Sequence, residues 1–386
     1  MICKKCKNSG SVTVRKEHMY CDNCFMLNIN HKFRSCIGKN KILSSNDNVL
    51  VCLTGGKSST VLLDLIFNGL SQDSHKKLRM VPFFLHITGL GEKENDITVA
   101  ELIIKQCQSY NFNVYIVNIC EYYFQRNNTL PSVNSVTDVH NWTELNSNTN
   151  LKSILGKMTS TSSNDIEMKI KHDIFIRAAK QLKCDFIFTA ETTTTLAVNL
   201  LSNLAIGRGS QVQDDIGFFD NRDENIKILR PMKDITEEEL HHYIRIKNLI
   251  EISVDTIRGN SLQSVIKTFV TDLQENFPAT VSTVCKTADK IGSVDKNTNR
   301  CKFCKSNLPE KSDKITAIDA TIFSRTVSNG QPPIANRNTG AEEQEDIKMS
   351  LFPFIDNYFC YCCSKNYLEA GLHDSNFFEI SGSKNL

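Results

Sequence analysis

The chain has 386 residues, 40% of them hydrophobic, with 15 cysteines, one tryptophan and a formal net charge of +2. That is enough chain and enough apolar content for one α/β core with smaller modules attached. No apolar run approaches a membrane span, and Met1-Ile2-Cys3-Lys4-Lys5-Cys6 lacks the apolar stretch of a secretory signal. A membrane role is therefore not expected, and the cysteines are expected to be cytosolic thiols or metal ligands, zinc foremost, rather than a disulfide framework.

In chain order, the first feature is Cys3-x2-Cys6 followed by Cys21-x2-Cys24. Two thiolate pairs on two turns can close a tetrahedral structural zinc site, and a segment this small does not bury enough core to fold without a metal. Residues 1–47 are therefore predicted to be an N-terminal zinc ribbon. They hold nine Lys/Arg against three acids, a local charge of +6 that leaves −4 for the rest of the chain. Such a module suits a phosphate backbone, with Arg15, Lys16, Lys32 and Arg34 as contacts, and suits equally a lysine-rich solvated surface.

Residues 48–277 alternate apolar strand-like runs with helical patterns, which predicts a parallel sheet flanked by helices. Strands are expected at Val49–Thr54, Met80–Ile87, Phe112–Ile119, Cys184–Thr189 and Ile226–Leu229. Helices are expected at Ser59–Leu70, Asp96–Tyr110, Glu167–Leu182, Thr194–Ala205, Ile235–Asn248 and Ser261–Asn276. After the first strand comes Thr54-Gly55-Gly56-Lys57-Ser58-Ser59. Glycine permits a tight turn and close approach of a phosphate, the following helix offers unpaired N–H groups, and the serines add hydroxyl donors. The same string also fits an ordinary strand-to-helix turn. Cys52, Cys107, Cys120 and Cys184 sit in or beside apolar runs and are expected as buried thiols. The Asn/Ser/Thr-rich stretch 126–165 is expected to be a polar loop insertion.

Residues 278–386 carry Cys301-x2-Cys304 and Cys360-x2-Cys363, which predict a second zinc module with a flexible loop near 325–350 between its two halves. Cys362 adjoins Cys363, and the x2 spacing favours Cys363 as the fourth ligand.

Four stretches carry a resemblance to a known family. They are Cys21-Asp22-Asn23-Cys24-Phe25, the loop Leu53–Ser59, Leu196–Leu204 with Ala205-Ile206-Gly207-Arg208-Gly209, and Ile228-Leu229-Arg230-Pro231-Met232-Lys233-Asp234-Ile235. They resemble the PP-loop ATP pyrophosphatases that thiolate tRNA, and among them the non-catalytic partner branch. The resemblance implies an adenine nucleotide alpha hydrolase-like fold and a heterodimer with a catalytic paralogue. It further implies tRNA as ligand, a ubiquitin-like sulfur carrier reached through the complex, a cytoplasmic location, and Arg208, Arg230 and Lys233 as further RNA contacts.

Departures from the catalytic members shape the expectation. Their loop reads Ser-Gly-Gly-Lys-Asp-Ser, whereas Thr54 and Ser58 here replace the first Ser and the Asp, which leaves ATP binding open. Their Cys-x-x-Cys before the helix matching His172–Leu182 is Thr161-Ser162-Ser163-Asn164-Asp165 here, and their later Cys has no counterpart in Ile252-Ser253-Val254-Asp255-Thr256. Sulfur relay and iron–sulfur clusters need thiolates, so no catalytic residue and no cluster is expected. In the turn Ala190–Thr195 only Glu191 is acidic, and it is expected to be a solvated loop residue. Two other readings are an active ATP-dependent thiolase using Gly55–Ser59, and a protein-binding adaptor that never touches RNA.

Overall fold

A computed structural model describes residues 2–14, 18–71, 77–89, 93–119, 132–133, 150–250, 252, 259–291, 299–308, 321, 324–325, 328 and 358–370. Arg15, Lys16, Cys120 and most of the 325–350 loop lie outside them. The chain divides into two compact units, Met1–Ser293 and Val294–Leu386.

The first unit is built on a seven-stranded sheet. Its strands are β3 (Asp47–Leu53), β4 (Met80–Thr88), β5 (Val114–Asn118), β6 (Ser132–Val133), β7 (Phe186–Phe188), β8 (Phe219–Asp220) and β9 (Lys227–Leu229), in the order β6-β5-β4-β3-β7-β9-β8. The five central strands run parallel, and the short edges β6 and β8 pair antiparallel. β3 is buried from Val49 to Leu53, as a strand covered on both faces requires, and this is why it reads as an unbroken apolar run. The chain leaves β3 towards β4 and β5, then returns to the other flank of β3 with β7 and β9. The order therefore reverses between β3 and β7, the place where open parallel sheets bind ligands.

The expected strands and helices all occur, with ends shifted by a few residues. Helix α2 (Lys57–Leu70) follows β3, α3 (Lys93–Ser109) follows β4, and α5 (Ser160–Gln181) precedes β7. α6 (Thr193–Ala205), the short α7 (Val212–Ile216), α8 (Glu237–Lys247) and α9 (Leu262–Asn276) complete the expected set, apart from α7. Residues 150–165 are largely helical rather than loop: α4 spans Asn150–Lys157, and Thr159 caps α5 by accepting from Ser162 N. α10 (Pro278–Ile291) packs Val281, Val284 and Ala288 against α6, α7 and α9, so this segment belongs to the α/β unit and not to the C-terminal module.

Residues 1–47 are not a ribbon alone. The hairpin β1 (Val12–Val14) and β2 (His18–Tyr20) is followed by the 19-residue helix α1 (Asp22–Asn40). Phe25, Ile29 and Phe33, spaced by four, lie on one face of α1, and with Val12 and Val14 they join the same apolar core as Leu229, Leu240 and Tyr243. The module is thus welded to the sheet through α8.

One buried titratable group makes this unit acid-sensitive. His86 on β4 is buried, with Nδ1 2.8 Å from the Leu53 carbonyl oxygen, and burial drives its pKa down to about 4. Unfolded, it titrates near pH 6.5 and takes up a proton that the folded chain refuses. Stability is therefore whole above pH 6.5 and falls between pH 6.5 and 4, by about 3 kcal/mol in all. His86→Gln should flatten the urea midpoint across that window, and an unchanged slope would contradict the assignment.

Candidate functional site

The Gly-Gly loop lies at the carboxyl end of β3, beside the switch point. Gly55 has φ +82, a left-handed conformation that glycine adopts at no steric cost, and Gly56 caps α2. Thr54 is exposed, and Lys57 and Ser58 are half-buried. Ser59 is buried and its hydroxyl donates to the Gly56 carbonyl at 2.8 Å, so of the expected loop donors it is spent inside the turn. Lys57 Nζ lies 3.4 Å from Nε2 of His241 on α8, and burial followed by the lysine charge lowers the imidazole pKa.

The loop opens into a cleft of about 1200 Å³ walled by α5, α6, α8 and α9. Several of its charged groups are paired within the fold. Arg208, 1% exposed, grips Asp165 with Nη1 and Nη2, Nη2 at 2.7 Å from Oδ2. Arg230, 4% exposed, donates to Glu191 at 2.7 Å and to the Gly217 carbonyl at 2.9 Å. Arg222 bridges Asp215, at 2.8 Å, and Asp220, and His172 lies 3.3 Å from Asp220. Burial alone would raise the Asp220 carboxyl, yet Arg222 and His172 hold it well below the usual range. Lys171 pairs with Glu167 at 2.7 Å.

These contacts bear on three expectations. Arg208 and Arg230, expected as RNA contacts, are buried, and pairing commits their guanidinium groups to carboxylates of the same fold. Glu191 is no solvated loop acid, since Arg230, Thr189 and Asn199 all donate to it. Lys32 reaches back to Glu239 at 2.6 Å and to the Asp234 carbonyl, tying α1 to α8 instead of facing a ligand. Arg34 and Lys233 are half-buried, while Lys4, Lys5, Lys7, Lys39 and Lys41 are exposed. Among the described residues of the N-terminal module, the exposed positive charge is carried by these lysines.

Both cysteine quartets assemble, each with all four Sγ atoms within 4.8 Å of one another: Cys3, Cys6, Cys21 and Cys24, and Cys301, Cys304, Cys360 and Cys363. The two are built alike. Each first pair sits on a knuckle closed by Cys3 N donating to Asn8 O or Cys301 N to Ser306 O, with Lys7 or Lys305 left-handed after the second cysteine. Each second pair sits at a helix start, Cys21 capping α1 and Cys360 capping α11 (Tyr361–Glu369). Hydrogen bonding, led by the Cys6 backbone, lowers the Cys3 thiol to about 6. Cys363 completes the second quartet, while Cys362 is buried beside it and lies within 4.0 Å of Asn366 Nδ2. Either quartet can hold a metal ion. Sequence reasoning missed Asp165, Asp215, Asp220 and Arg222: Asp165 pairs with Arg208 43 residues away, and the short-range pairing of Arg222 with Asp215 and Asp220 looks like ordinary surface charge until the fold buries it.

A parallel sheet with a Gly-Gly loop at its switch point and a deep cleft beyond it defines an α/β protein of the PP-loop class. The solved U34-tRNA thiolase NcsA from Methanococcus maripaludis with its 4Fe–4S cluster shares the fold. Its TM-score is 0.55 at 17% identity, over 75% of this chain and 88% of that one. The family described as Cytoplasmic tRNA 2-thiolation protein 2 matches over residues 261–365. The protein of that name from Drosophila melanogaster is 32% identical over 84% of this chain and 81% of its own length. The one from Danio rerio is 27% identical over 84% and 76%. The chain belongs to the cytoplasmic tRNA 2-thiolation protein 2 family.

Proposed function

We propose that this chain is a non-catalytic subunit of a cytoplasmic tRNA 2-thiolation complex. It pairs with a catalytically complete PP-loop relative and helps present tRNA for thiolation of the wobble uridine, with sulfur supplied by a ubiquitin-like carrier through the complex. One observation carries this reading. At the stretch where catalytic relatives are expected to hold two thiols, the cleft holds Asp165 locked to Arg208. The thiol that does border the cleft, Cys52, is buried and its pKa is raised well above the ordinary value by that burial. Such a donor set does not fit an iron–sulfur cluster.

Each cysteine quartet suits one zinc ion, whose contribution is structural. Sulfur separations of 3.5 Å (Cys6 to Cys21) and 3.6 Å (Cys304 to Cys360) approach the edge of about 3.8 Å that a tetrahedron with zinc–sulfur bonds of about 2.3 Å requires. tRNA contact is assigned to the exposed lysines Lys4, Lys5, Lys7, Lys39 and Lys41, with Arg34 beside them and Arg15 and Lys16 nearby in sequence. No helix among the described residues is long and apolar enough to cross a membrane.

Reconstitution with the catalytic subunit tests the assignment. Lys57→Ala and Ser58→Ala should leave 2-thiouridine formation largely intact, because the loop here does not turn over ATP. A loss comparable to inactivating the partner would show that it binds nucleotide productively.

A further inference from the structure

The two cysteine modules share one backbone frame, so the places where their side chains differ are informative. In each, an antiparallel bridge closes the knuckle, Ile2 with Ser9 and Arg300 with Asn307. Cys3 N donates to Asn8 O and Cys301 N to Ser306 O, both at 2.7 Å, while Lys4 N donates to Met19 O and Lys302 N to Tyr358 O, both at 2.8 Å. The second cysteine pair then opens α1 or α11 in the same register. Positions 2–9 and 19–24 of the first module therefore correspond to 300–307 and 358–363 of the second.

On this frame three positions turn aromatic: where the first module has Lys5, Met19 and Asp22, the second has Phe303, Tyr358 and Tyr361. Closing the quartet does not call for the rings, because the first module closes the same frame without them. At the start of α1, Asp22 accepts from the Ser11 hydroxyl at 2.6 Å, and its charge suits a helix N-terminus. Tyr361 brings no such charge to the start of α11 and is 42% exposed. Lys302 holds its ammonium 4.0 Å from the centre of the Tyr358 ring, a cation–π pair, and Lys305 is exposed. Among the described residues of the second unit the only acid is Glu369, 3.8 Å from Lys365 at the far end of α11. The knuckle and the first turn of α11 thus combine rings with basic side chains and hold no carboxylate.

We propose that the second module binds an unpaired stretch of the RNA, with Phe303 and Tyr361 offering ring faces to separate bases, Tyr358 holding Lys302 towards a phosphate, and Lys305 meeting another. The proposal rests on the tRNA-presenting role proposed above and divides the work between the modules: lysines alone for phosphates in the first, rings with lysines for splayed bases in the second. Every nucleobase has a flat π face, and stacking on aromatic side chains beside basic groups is how proteins hold single-stranded RNA. A duplex keeps those faces inside its own stack, so the rings have nothing to add there.

The test measures binding of the full chain to a short fluorescent oligouridine, to the same strand annealed to oligoadenosine, and to tRNA. Tyr361→Ala should weaken oligouridine binding about fivefold or more and leave duplex binding unchanged, and Tyr361→Phe, which keeps the ring, should restore most of the loss. The salt dependence of Tyr361→Ala should match that of the wild type, because a ring displaces no counterions, whereas Lys305→Gln should make the slope shallower by about 0.7. Unchanged oligouridine affinity in Tyr361→Ala would overturn the proposal. Equal losses on strand and duplex, or no recovery with Tyr361→Phe, would also overturn it, by showing that the side chain supports the module and not a base. Loss of co-purifying catalytic subunit at unchanged RNA affinity would overturn it in favour of a protein partner. If the wild-type chain and its reconstituted complex bind no tRNA at all, the functional reading falls with it; if they bind tRNA but not oligouridine, the role of the second module alone falls.

Discussion

Replacing Arg208 by leucine should destabilise the first unit by about 3–5 kcal/mol, because it leaves the Asp165 carboxylate buried without its counter-charge. The pair is 1% and 7% exposed and bidentate, so water reaches neither partner to compensate. It joins the second turn of α5 to the segment after α6, two elements that otherwise approach the cleft from different parts of the sequence. Removing both charges together, as Asp165→Leu with Arg208→Met, should recover most of that loss, since a buried ion pair is often no more stable than apolar residues of similar volume. Urea midpoints of the three variants measure both effects. A single variant losing under about 1 kcal/mol would place the pair in the range of solvated ion pairs and deny Arg208 its structural role.

The second large effect is expected from Cys21→Ser with Cys24→Ser. These residues hold the start of α1 and half of the first quartet, and metal binding in such small modules is worth on the order of 10 kcal/mol in folding free energy. Zinc content should fall from about two to about one per chain. Because Phe25, Ile29 and Phe33 remain anchored in the main core, α1 should stay attached while the knuckle bearing Lys4, Lys5 and Lys7 loosens. tRNA affinity should then fall by about tenfold or more near physiological salt, with a shallower salt dependence as phosphate contacts are lost, and pairing with the catalytic subunit should suffer less. Normal tRNA binding with failed pairing would make the module a dimerisation element instead.

How far the sequence foretells this structure depends on whether the determining partner is local. β3 and β4 are legible because strands buried on both faces are continuous apolar runs bounded by turn residues. β6 and β8, two residues each, are too short to show a period. Helix α1 escapes notice because the cysteine spacing dominates that segment, although Phe25, Ile29, Phe33 and Ile37 recur at helical spacing. The first turns of α5 read as loop because Ser, Thr and Asn favour caps and turns as readily as helices. The quartets are legible by spacing alone, since a tetrahedral site dictates it. Arg208 and Arg230 are misplaced by sequence, for a basic residue in a family-like motif does not disclose whether its counter-charge is a phosphate or Asp165, 43 residues away.

The most direct measurement is ATP-dependent formation of 2-thiouridine at the wobble position of tRNA, with AMP release followed in parallel. The purified chain alone, supplied with ATP, tRNA and a sulfur donor, should yield neither thiouridine nor AMP, whereas adding it to the catalytic subunit should raise thiolation above that subunit's own rate. Thiolation by this chain alone, or a catalytic subunit indifferent to its presence, would contradict the assignment.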